Sequence, residues 1–132
     1  NLKSATQINA VSPIGILEYA GRRLVFTGDS NNSNEKYYCE TYPYVDCDVL
    51  KVAHHGSRTS SSKDFLQHVK CEYAVISVGD GNSYKHPEQE ALDRLKANGI
   101  QKIHRTDKCG NVVLTVSHTG EMAFSCEKQC AA

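Results

Sequence analysis

The chain has 132 residues, enough for one domain with a modest core. Its 15 basic and 15 acidic side chains balance, which argues against a surface dedicated to binding polyanions. Hydrophobic residues make up 39% of the chain, and no apolar run approaches the roughly 20 residues that a membrane-spanning helix needs.

The first half of the chain alternates short apolar segments with polar, turn-forming ones. A turn at Ala20-Gly21 joins the first two strand candidates into a hairpin. The polar segment 31–35 reads as a turn-rich loop, and a short helix is predicted at 36–41. The strands predicted in this half are 14–19, 23–27 and 49–53.

The second half predicts two helices and four strands. Three serines at 60–62 can cap a helix whose apolar residues fall on one side. Pro87 fits the first position of the next helix, Glu88 and Glu90 then lie in its first turn, and Gly99 ends it. The predicted strands are 73–78, 102–105, 111–116 and 121–125, of which the last two form a hairpin.

Strands that alternate with helices predict an α/β fold, with a mixed sheet and helices packed against it. In such sheets, ligand sites gather in the loops after the carboxyl ends of the strands. Asp29, the adjacent pair His54 and His55, and segment 79–86 all fall in such loops. We therefore expect Asp29, His55 and His86 within about 10 Å of each other, a reach set by metal–ligand bonds of roughly 2.0–2.2 Å and a metal pair about 3.5–4 Å apart.

Asp29 and the two histidines are residue types that metal sites use. A glycine before Asp29 allows a sharp turn, and the carboxylate can bridge two cations; the alternative is a turn-forming aspartate. His54 and His55 point to opposite faces if the backbone is extended, so one is expected to bind a metal and the other to contact that ligand or the substrate. The alternative for the pair is a polar loop with incidental histidines.

The neighbouring loops hold groups that suit an oxyanion. Ser57, Arg58 and Thr59 offer two hydroxyls and a cation, and we assign them with Asn82 as substrate-binding residues. His86 has three interpretations of equal weight, namely a third metal ligand, a general acid, or a residue that merely neighbours a helix cap.

The cysteines and the other histidines are left outside the site. No Cys-x-x-Cys pair occurs, which argues against a structural zinc ribbon, for which Cys126 and Cys130 would be the best anchor. Free thiols are expected, and disulfides are expected only in an extracytoplasmic domain, with no pairing named by the spacing. His68 and His118 are expected in solvent and His104 packed at a strand end. The six cysteines are Cys39, Cys47, Cys71, Cys109, Cys126 and Cys130.

Taken together, these motifs resemble the metallo-β-lactamase superfamily and, more narrowly, the C-terminal hydrolase domain of the ComEC competence-channel family. The longest matching element, residues 48–60, reads Asp-Val-Leu-Lys-Val-Ala-His-His-Gly-Ser-Arg-Thr-Ser and is the most specific. The other matching elements are Asn9-x-x-Ser12, Phe26-Thr27-Gly28-Asp29, Ile76-Ser77-Val78-Gly79, Asn82-x-Tyr84-x-His86-Pro87 and Arg105-Thr106-Asp107.

The resemblance implies an αββα sandwich with two zinc or manganese ions at a rim between two sheet halves. It implies Asp29 as the bridging carboxylate, His55 as the late histidine ligand, and His54 and His86 as catalytic groups that line the pocket. The implied chemistry is attack of a metal-activated hydroxide on a phosphodiester of DNA. The principal ligand motif of the family, His-x-His-x-Asp-His, is absent, so residues 1–132 resemble the C-terminal half of such a domain as a single unit.

If the chain is half of a domain, its metal site should be incomplete and an apolar face of its sheet should be uncovered. With one carboxylate and one or two imidazoles, the chain is expected to bind zinc or manganese weakly or not at all and to be inactive alone. The expected partners are DNA or another phosphodiester, the N-terminal half of the same domain, and a second copy that replaces that half. The strand residues expected to build or border the uncovered face are Leu24, Phe26, Val49, Val52, Ile76 and Val78.

Three further expectations concern the parent protein and the function. The chain begins at Asn1, so we expect a piece excised from a longer protein or else a processed product; it would be extracytoplasmic if the parent is ComEC-like and cytoplasmic otherwise. One alternative function keeps the fold without catalysis, as a degenerate or truncated domain used for binding or assembly. Another is a phosphate-binding module that uses the hydroxyls and the cation of segment 57–60.

Overall fold

The computed structural model describes residues 4–130, which form a five-stranded sheet, a two-stranded hairpin and flanking helices. The predicted α/β class, with a mixed sheet and helices packed on it, is confirmed. No helix within this part of the chain is long and apolar enough to cross a membrane. The strands are β1 Gly15–Tyr19, β2 Arg22–Phe26, β3 Val49–Lys51, β4 Tyr73–Ile76, β5 Lys102–Arg105, β6 Val112–Val116 and β7 Met122–Cys126. The helices are α1 Ala5–Asn9, α2 Asn32–Thr41, α3 Lys63–Val69, α4 Gln89–Ala97 and α5 Thr106–Cys109, with a 3-10 helix at Ala53–Gly56.

The strands of the large sheet follow the order of the chain, β1-β2-β3-β4-β5. The first pair is antiparallel, as expected for a hairpin, and the remaining neighbours are parallel. Parallel strands place their carboxyl ends at the same edge of a sheet. The loops that follow β2, β3, β4 and β5 therefore meet along one edge.

One face of the sheet is covered by α2, α3 and α4. The register aligns Val25, Leu50, Ala74 and Ile103 on this face, and the first three are fully buried. Helix α3 begins where the Ser62 hydroxyl accepts the backbone N–H of Phe65, and it turns three apolar side chains inward. Burying one side chain of this size is worth about 1.5–3 kcal/mol, so each of these three residues contributes to the stability of the fold. The helical residues of this core are Tyr38, Phe65, Leu66, Val69, Leu92 and Leu95.

The opposite face of the sheet is covered in part by the hairpin of β6 and β7. The Phe124 ring stacks on His104 at 4.3 Å and lies 5.5 Å from Tyr73. The Arg22 Nε also donates to the Gly120 carbonyl in the hairpin turn, at 2.7 Å. Toward β1 this cover ends. The residues left there, which we call the open face, are Leu17, Tyr19, Leu24 and Phe26.

The set of residues predicted to build or border an uncovered face is wrong in three of its six members. Val52, Ile76 and Val78 are buried in the helical core. Val49 is buried, but it pairs with Leu24 and so borders the open face. Phe26 is exposed as expected.

Two helix starts differ from the prediction. Segment 31–35 is not a loop, because the Asn31 side chain accepts the backbone N–H groups of Ser33 and Asn34 and starts α2 at that point. Pro87 is not the first residue of α4, which has Glu88 as its N-cap residue and begins at Gln89. The backbone N–H of Glu88 instead donates to the Gly56 carbonyl at 2.9 Å, which holds this segment against another loop.

Strand β3 also ends two residues earlier than predicted, at Lys51. Cys109 and Cys130 form a disulfide, so the expectation of free thiols is wrong for this pair. The other four cysteines are free: Cys39, Cys47, Cys71 and Cys126.

Candidate functional site

Four of the predicted side chains lie along the edge where the parallel strands end. Asp29 follows β2, His54 and His55 follow β3, and His86 lies in the loop after β4. We call these four residues the rim. The His54 backbone N–H donates to the Gly28 carbonyl at 3.0 Å, which joins the loops after β2 and β3 directly.

The Asp29 loop is positioned by a serine from before β1. The backbone N–H of Asp29 donates to the Ser12 hydroxyl at 3.0 Å. Gly28 has φ of 52°, and a Cβ at that position would lie 2.5 Å from the same hydroxyl oxygen. The glycine before Asp29 is therefore required both by the backbone conformation and by the close approach of Ser12.

The two adjacent histidines do not lie on extended backbone. His54 has φ 48° and ψ 42°, and His55 has φ 57° and ψ 20°. The prediction that they point to opposite faces of a strand is therefore wrong, because both residues are in the left-handed region. Their rings lie 6.2 Å apart. Left-handed backbone costs roughly 1–2 kcal/mol per residue without glycine, and such strain is concentrated at functional sites.

The His55 ring is oriented toward Asp29. Its Nδ1 lies 2.7 Å from the Ser77 carbonyl, which can only accept a hydrogen bond, so Nδ1 carries the proton. The lone pair of the neutral ring is then on Nε2, 3.8 Å from Asp29 Oδ1. This separation is too long for a hydrogen bond but suits two ligands of one cation with bonds of about 2.0–2.2 Å. Both side chains are about half exposed, at 49% and 51%, so an ion has access.

His54 and His86 form the inner part of the rim. Their rings lie 5.7 Å apart, and the Nδ1 atoms of both are buried without a hydrogen-bond partner among residues 4–130. Burial lowers the pKa of His86, the neighbouring imidazoles of His54 and His55 lower it further, and the Glu88 carboxylate opposes them. His86 is therefore neutral near pH 7, the form that can bind a metal or accept a proton.

The His86 loop is docked on the histidine turn through Gly56. Gly56 has φ of 85°, and a Cβ there would lie 2.5 Å from the Pro87 Cβ. The Glu88 carboxylate accepts the backbone N–H of Arg58 at 3.1 Å and lies 3.7 Å from the Arg58 Nε. Sequence reasoning missed this role of Glu88, because the contact joins loops 30 residues apart.

The predicted substrate-binding residues are engaged mainly with their own loops. The Ser57 and Thr59 hydroxyls lie 3.0 Å apart, and Ser57 is buried. The Asn82 amide donates to the His86 carbonyl at 2.6 Å, and its oxygen accepts the His86 N–H at 2.9 Å, so this side chain braces the loop. Arg58 is 65% exposed and keeps its charge at the surface beside the rim.

A buried carboxylate that sequence reasoning left in a loop holds the 57–62 segment. Glu35 is fully buried and accepts the backbone N–H groups of Ser61 and Ser62 at 2.6 and 2.8 Å. Burial raises the pKa of Glu35, while these two hydrogen bonds and the Arg94 guanidinium oppose the shift. Arg94 also donates to the Ser60 carbonyl at 3.2 Å, so the segment is fixed from two helices.

Lys51 places a cation beside the rim. It is the last residue of β3 and its Nζ donates to the Val52 carbonyl at 3.1 Å. Burial lowers the pKa of Lys51, and the Asp29 carboxylate opposes the shift. Sequence reasoning did not assign Lys51 to the site, although a lysine within an otherwise apolar strand could have indicated it.

The rim offers a first pair of ligands rather than a closed metal site. Asp29 and His55 face each other, and the proton on His55 Nδ1 leaves Nε2 free to bind. In the part of the chain that the structure describes, the one tight group of three or more potential ligands lies elsewhere, around His104. Two ligands are fewer than a zinc site uses, so the rim would need further ligands to hold one ion and more again to hold two.

Comparison with known proteins gives relatives over most of the chain. The chain is 36% identical to ComE operon protein 3 of Bacillus subtilis over 96 residues, an alignment that covers 73% of the chain and 12% of that protein. It is 40% identical to Competence protein ComA of Neisseria gonorrhoeae over 104 residues, which are 78% of the chain and 15% of that protein. It is 34% identical to Recombination protein 2 of Haemophilus influenzae over 87 residues, which are 66% of the chain and 11% of that protein.

No protein-family model matches the chain. The chain spans between 11% and 15% of the length of these three relatives. Their names support the predicted likeness to competence proteins, and the chain is related to a segment of proteins of this kind.

Proposed function

We propose that this chain is the C-terminal half of a metallo-β-lactamase-type hydrolase domain in a competence-type DNA uptake protein. The complete domain would cleave phosphodiesters by metal-activated attack of hydroxide. The proposal is carried by one observation: Ser77 fixes the His55 ring so that Nε2 faces the Asp29 carboxylate. A carbonyl that holds the far nitrogen of an imidazole is the usual support of a metal-binding histidine.

The rim residues have separate tasks in this proposal. Asp29, as a bridging carboxylate, and His55 would hold zinc or manganese. Bound there, the ions would supply a hydroxide near neutral pH by lowering the pKa of coordinated water. His86 is neutral and its Nδ1 has no hydrogen-bond partner within residues 4–130, so it can take up or release a proton beside the ions. The His54 ring lies 6.2 Å from that of His55 and 5.7 Å from that of His86, so His54 would line the site.

The open face supports the second part of the proposal, the missing half. Leu17, Tyr19 and Phe26 are 53%, 52% and 47% exposed on a sheet whose other apolar residues are largely covered. In an αββα sandwich two sheets pack face to face, so an N-terminal half would cover this surface. That half would also bring the remaining metal ligands to the rim.

The test uses the complete parent protein and its hydrolysis of a DNA duplex in Mn²⁺ or Zn²⁺. Asp29→Asn and His55→Ala should each lower hydrolysis about a hundredfold or more, since changing a metal ligand or its support commonly costs at least 10–100-fold. Asp80→Asn is the matched control, because Asp80 is an exposed carboxylate in the loop after β4. Hydrolysis by Asp29→Asn at the rate of Asp80→Asn would contradict the proposal.

The same experiment separates the alternatives. A phosphate-binding module is less well supported, because the Ser57 and Thr59 hydroxyls bond to each other and Arg58 pairs with Glu88. A parent protein that binds DNA but cleaves none with either metal would favour the domain without catalysis.

A further inference from the structure

A second cluster of metal-binding side chains lies away from the rim, between the large sheet and the hairpin. One residue comes from β5, one from α5, one from β7 and one from the segment after β7. Their ligand atoms all lie within 4.8 Å of one another. The four residues, which we call the cysteine cluster, are His104, Cys109, Cys126 and Cys130.

We propose that the cysteine cluster is a structural Zn²⁺ site with three thiolates and one imidazole, formed when the Cys109–Cys130 disulfide is reduced. Cys126 Sγ lies 3.4 Å from Cys130 Sγ and 3.6 Å from His104 Nδ1. A tetrahedral zinc ion with Zn–S bonds near 2.3 Å and a Zn–N bond near 2.0–2.1 Å places its ligand atoms roughly 3.5–3.8 Å apart. The two separations that involve Cys126 therefore already suit this ion, whereas the sulfurs of Cys109 and Cys130 would move apart to that distance once the disulfide is reduced.

The histidine of the cluster is held in place by packing. His104 is buried, and its ring stacks on Phe124 at 4.3 Å. Its Nε2 is buried without a hydrogen-bond partner in residues 4–130, so no described protein group fixes the tautomer, and Nδ1 faces the thiol of Cys126.

The backbone around the cluster supports a fixed arrangement of ligands. The Lys128 N–H donates to the Cys109 carbonyl at 2.9 Å, which folds the segment between Cys126 and Cys130 over α5. Glu127 pairs with Asn111 through both backbone and side chain, at 3.0 and 3.1 Å. An ion there would join β5, α5 and the hairpin at one point, in place of a single covalent link.

Formation of the site couples metal binding to the redox state. A dithiol reductant would transfer two electrons and two protons to the sulfurs of Cys109 and Cys130 and itself become a disulfide. Binding of Zn²⁺ then releases the protons of the three thiols. A surface groove lined by His104, Cys109, Cys126 and Cys130 gives the ion and the reductant access.

The test is cobalt binding by residues 1–132, with Co²⁺ as a coloured substitute for Zn²⁺. After reduction, one equivalent of Co²⁺ should give strong thiolate-to-cobalt charge-transfer absorption, which carboxylate and imidazole ligands at the rim cannot give. Zn²⁺ should displace it. Cys126→Ser should remove most of this absorption, and Cys39→Ser, a free cysteine on α2, should leave it unchanged. Absent absorption in the reduced chain, or full absorption in Cys126→Ser, would overturn the proposal.

A second measurement needs no variant and therefore does not depend on how a variant folds. In the reduced wild-type chain, one equivalent of Zn²⁺ should slow the reaction of three thiols with a disulfide reagent, and a chelator should restore it. Zinc that protects none of the thiols would overturn the proposal. Neither outcome bears on Asp29 and His55, so this test fails or succeeds independently of the proposed hydrolase.

Discussion

Replacing the buried Glu35 tests how the loop beside the rim is held. The carboxylate accepts the backbone N–H groups of Ser61 and Ser62, and Ser61 is buried with it. Glu35→Ala removes both acceptors and leaves two donors unpaired. Each unsatisfied buried group costs about 1–3 kcal/mol, which gives about 2–6 kcal/mol for the two. Burial of the carboxylate is itself unfavourable, as the raised pKa of Glu35 indicates, and the alanine variant no longer bears this cost. We therefore expect the free energy of unfolding to fall by about 2–4 kcal/mol in total.

Urea unfolding of residues 1–132 measures this loss as a lower midpoint at an unchanged slope. Glu40→Ala is the matched control, because Glu40 lies on the same helix with a side chain that is 65% exposed. A pair as exposed as that of Glu40 with Lys36 is worth at most about 1 kcal/mol, so the control should stay near the wild type. If Glu35→Ala unfolds at the same midpoint as Glu40→Ala, the hydrogen bonds of Glu35 do not stabilise the fold.

The same carboxylate predicts a pH dependence. Burial raises the pKa of Glu35 above 4.5, so the folded chain binds more protons at this group than the unfolded chain does. Its contribution to stability is then fully present below about pH 4.5 and is lost as the pH rises through the folded-state value. The stability of the wild type relative to Glu35→Gln should therefore decrease from pH 4.5 upward. A difference that grows with pH would show that the two N–H donors outweigh burial.

Three other predictions concern the loop contact, the metal and the open face. Gly56→Ala should lower the free energy of unfolding in urea by about 1–3 kcal/mol more than Gly81→Ala does. Gly81 also has a positive φ, but a Cβ there would have no atom within 4 Å. Equal losses in the two variants would refute the close contact between Gly56 and Pro87. Isothermal titration of residues 1–132 with Mn²⁺, an ion that thiolates bind poorly, should show weak or no binding, and a tight two-ion site would contradict an incomplete rim. Sedimentation equilibrium should show self-association that Phe26→Lys reduces and Tyr84→Lys does not, since Tyr84 is exposed away from the open face; a monomeric wild type would refute it.

The sequence predicted the rim because the prediction depends on connectivity alone. Asp29 and His55 follow two strands that are parallel neighbours, so both residues must lie at the same edge of the sheet, and the pattern of strands and helices indicated this arrangement. The conformation of the histidine turn could not be predicted, because left-handed backbone without glycine is disfavoured locally and is held by the Gly28 carbonyl. Local pattern also misplaced Glu35, whose hydrogen-bond partners lie 26 and 27 residues away.

The cysteine cluster also could not be predicted from local sequence pattern. Cys-x-x-Cys spacing is a local signal, and its absence argued against a zinc site. The four ligands instead meet because the hairpin packs on β5 through Phe124 and His104, an arrangement between segments about 20 residues apart. Spacing therefore argues against a zinc ribbon but gives no information about a zinc site assembled by the tertiary fold.

The strained backbone of the histidine turn is offset by contacts within the described residues. Two left-handed histidines cost roughly 2–4 kcal/mol together, and this cost must be met by contacts that form in the same state. The contacts that hold the turn, from Gly28 to His54, from Ser77 to His55 and from Glu88 to Gly56, all lie within this chain. The core beneath them is also complete, since Leu50 and Ile76 are fully buried by the helices of the same chain. The contacts that hold the histidine turn and the core beneath it therefore all come from the described residues, and in the proposed domain a partner half would add ligands to this turn.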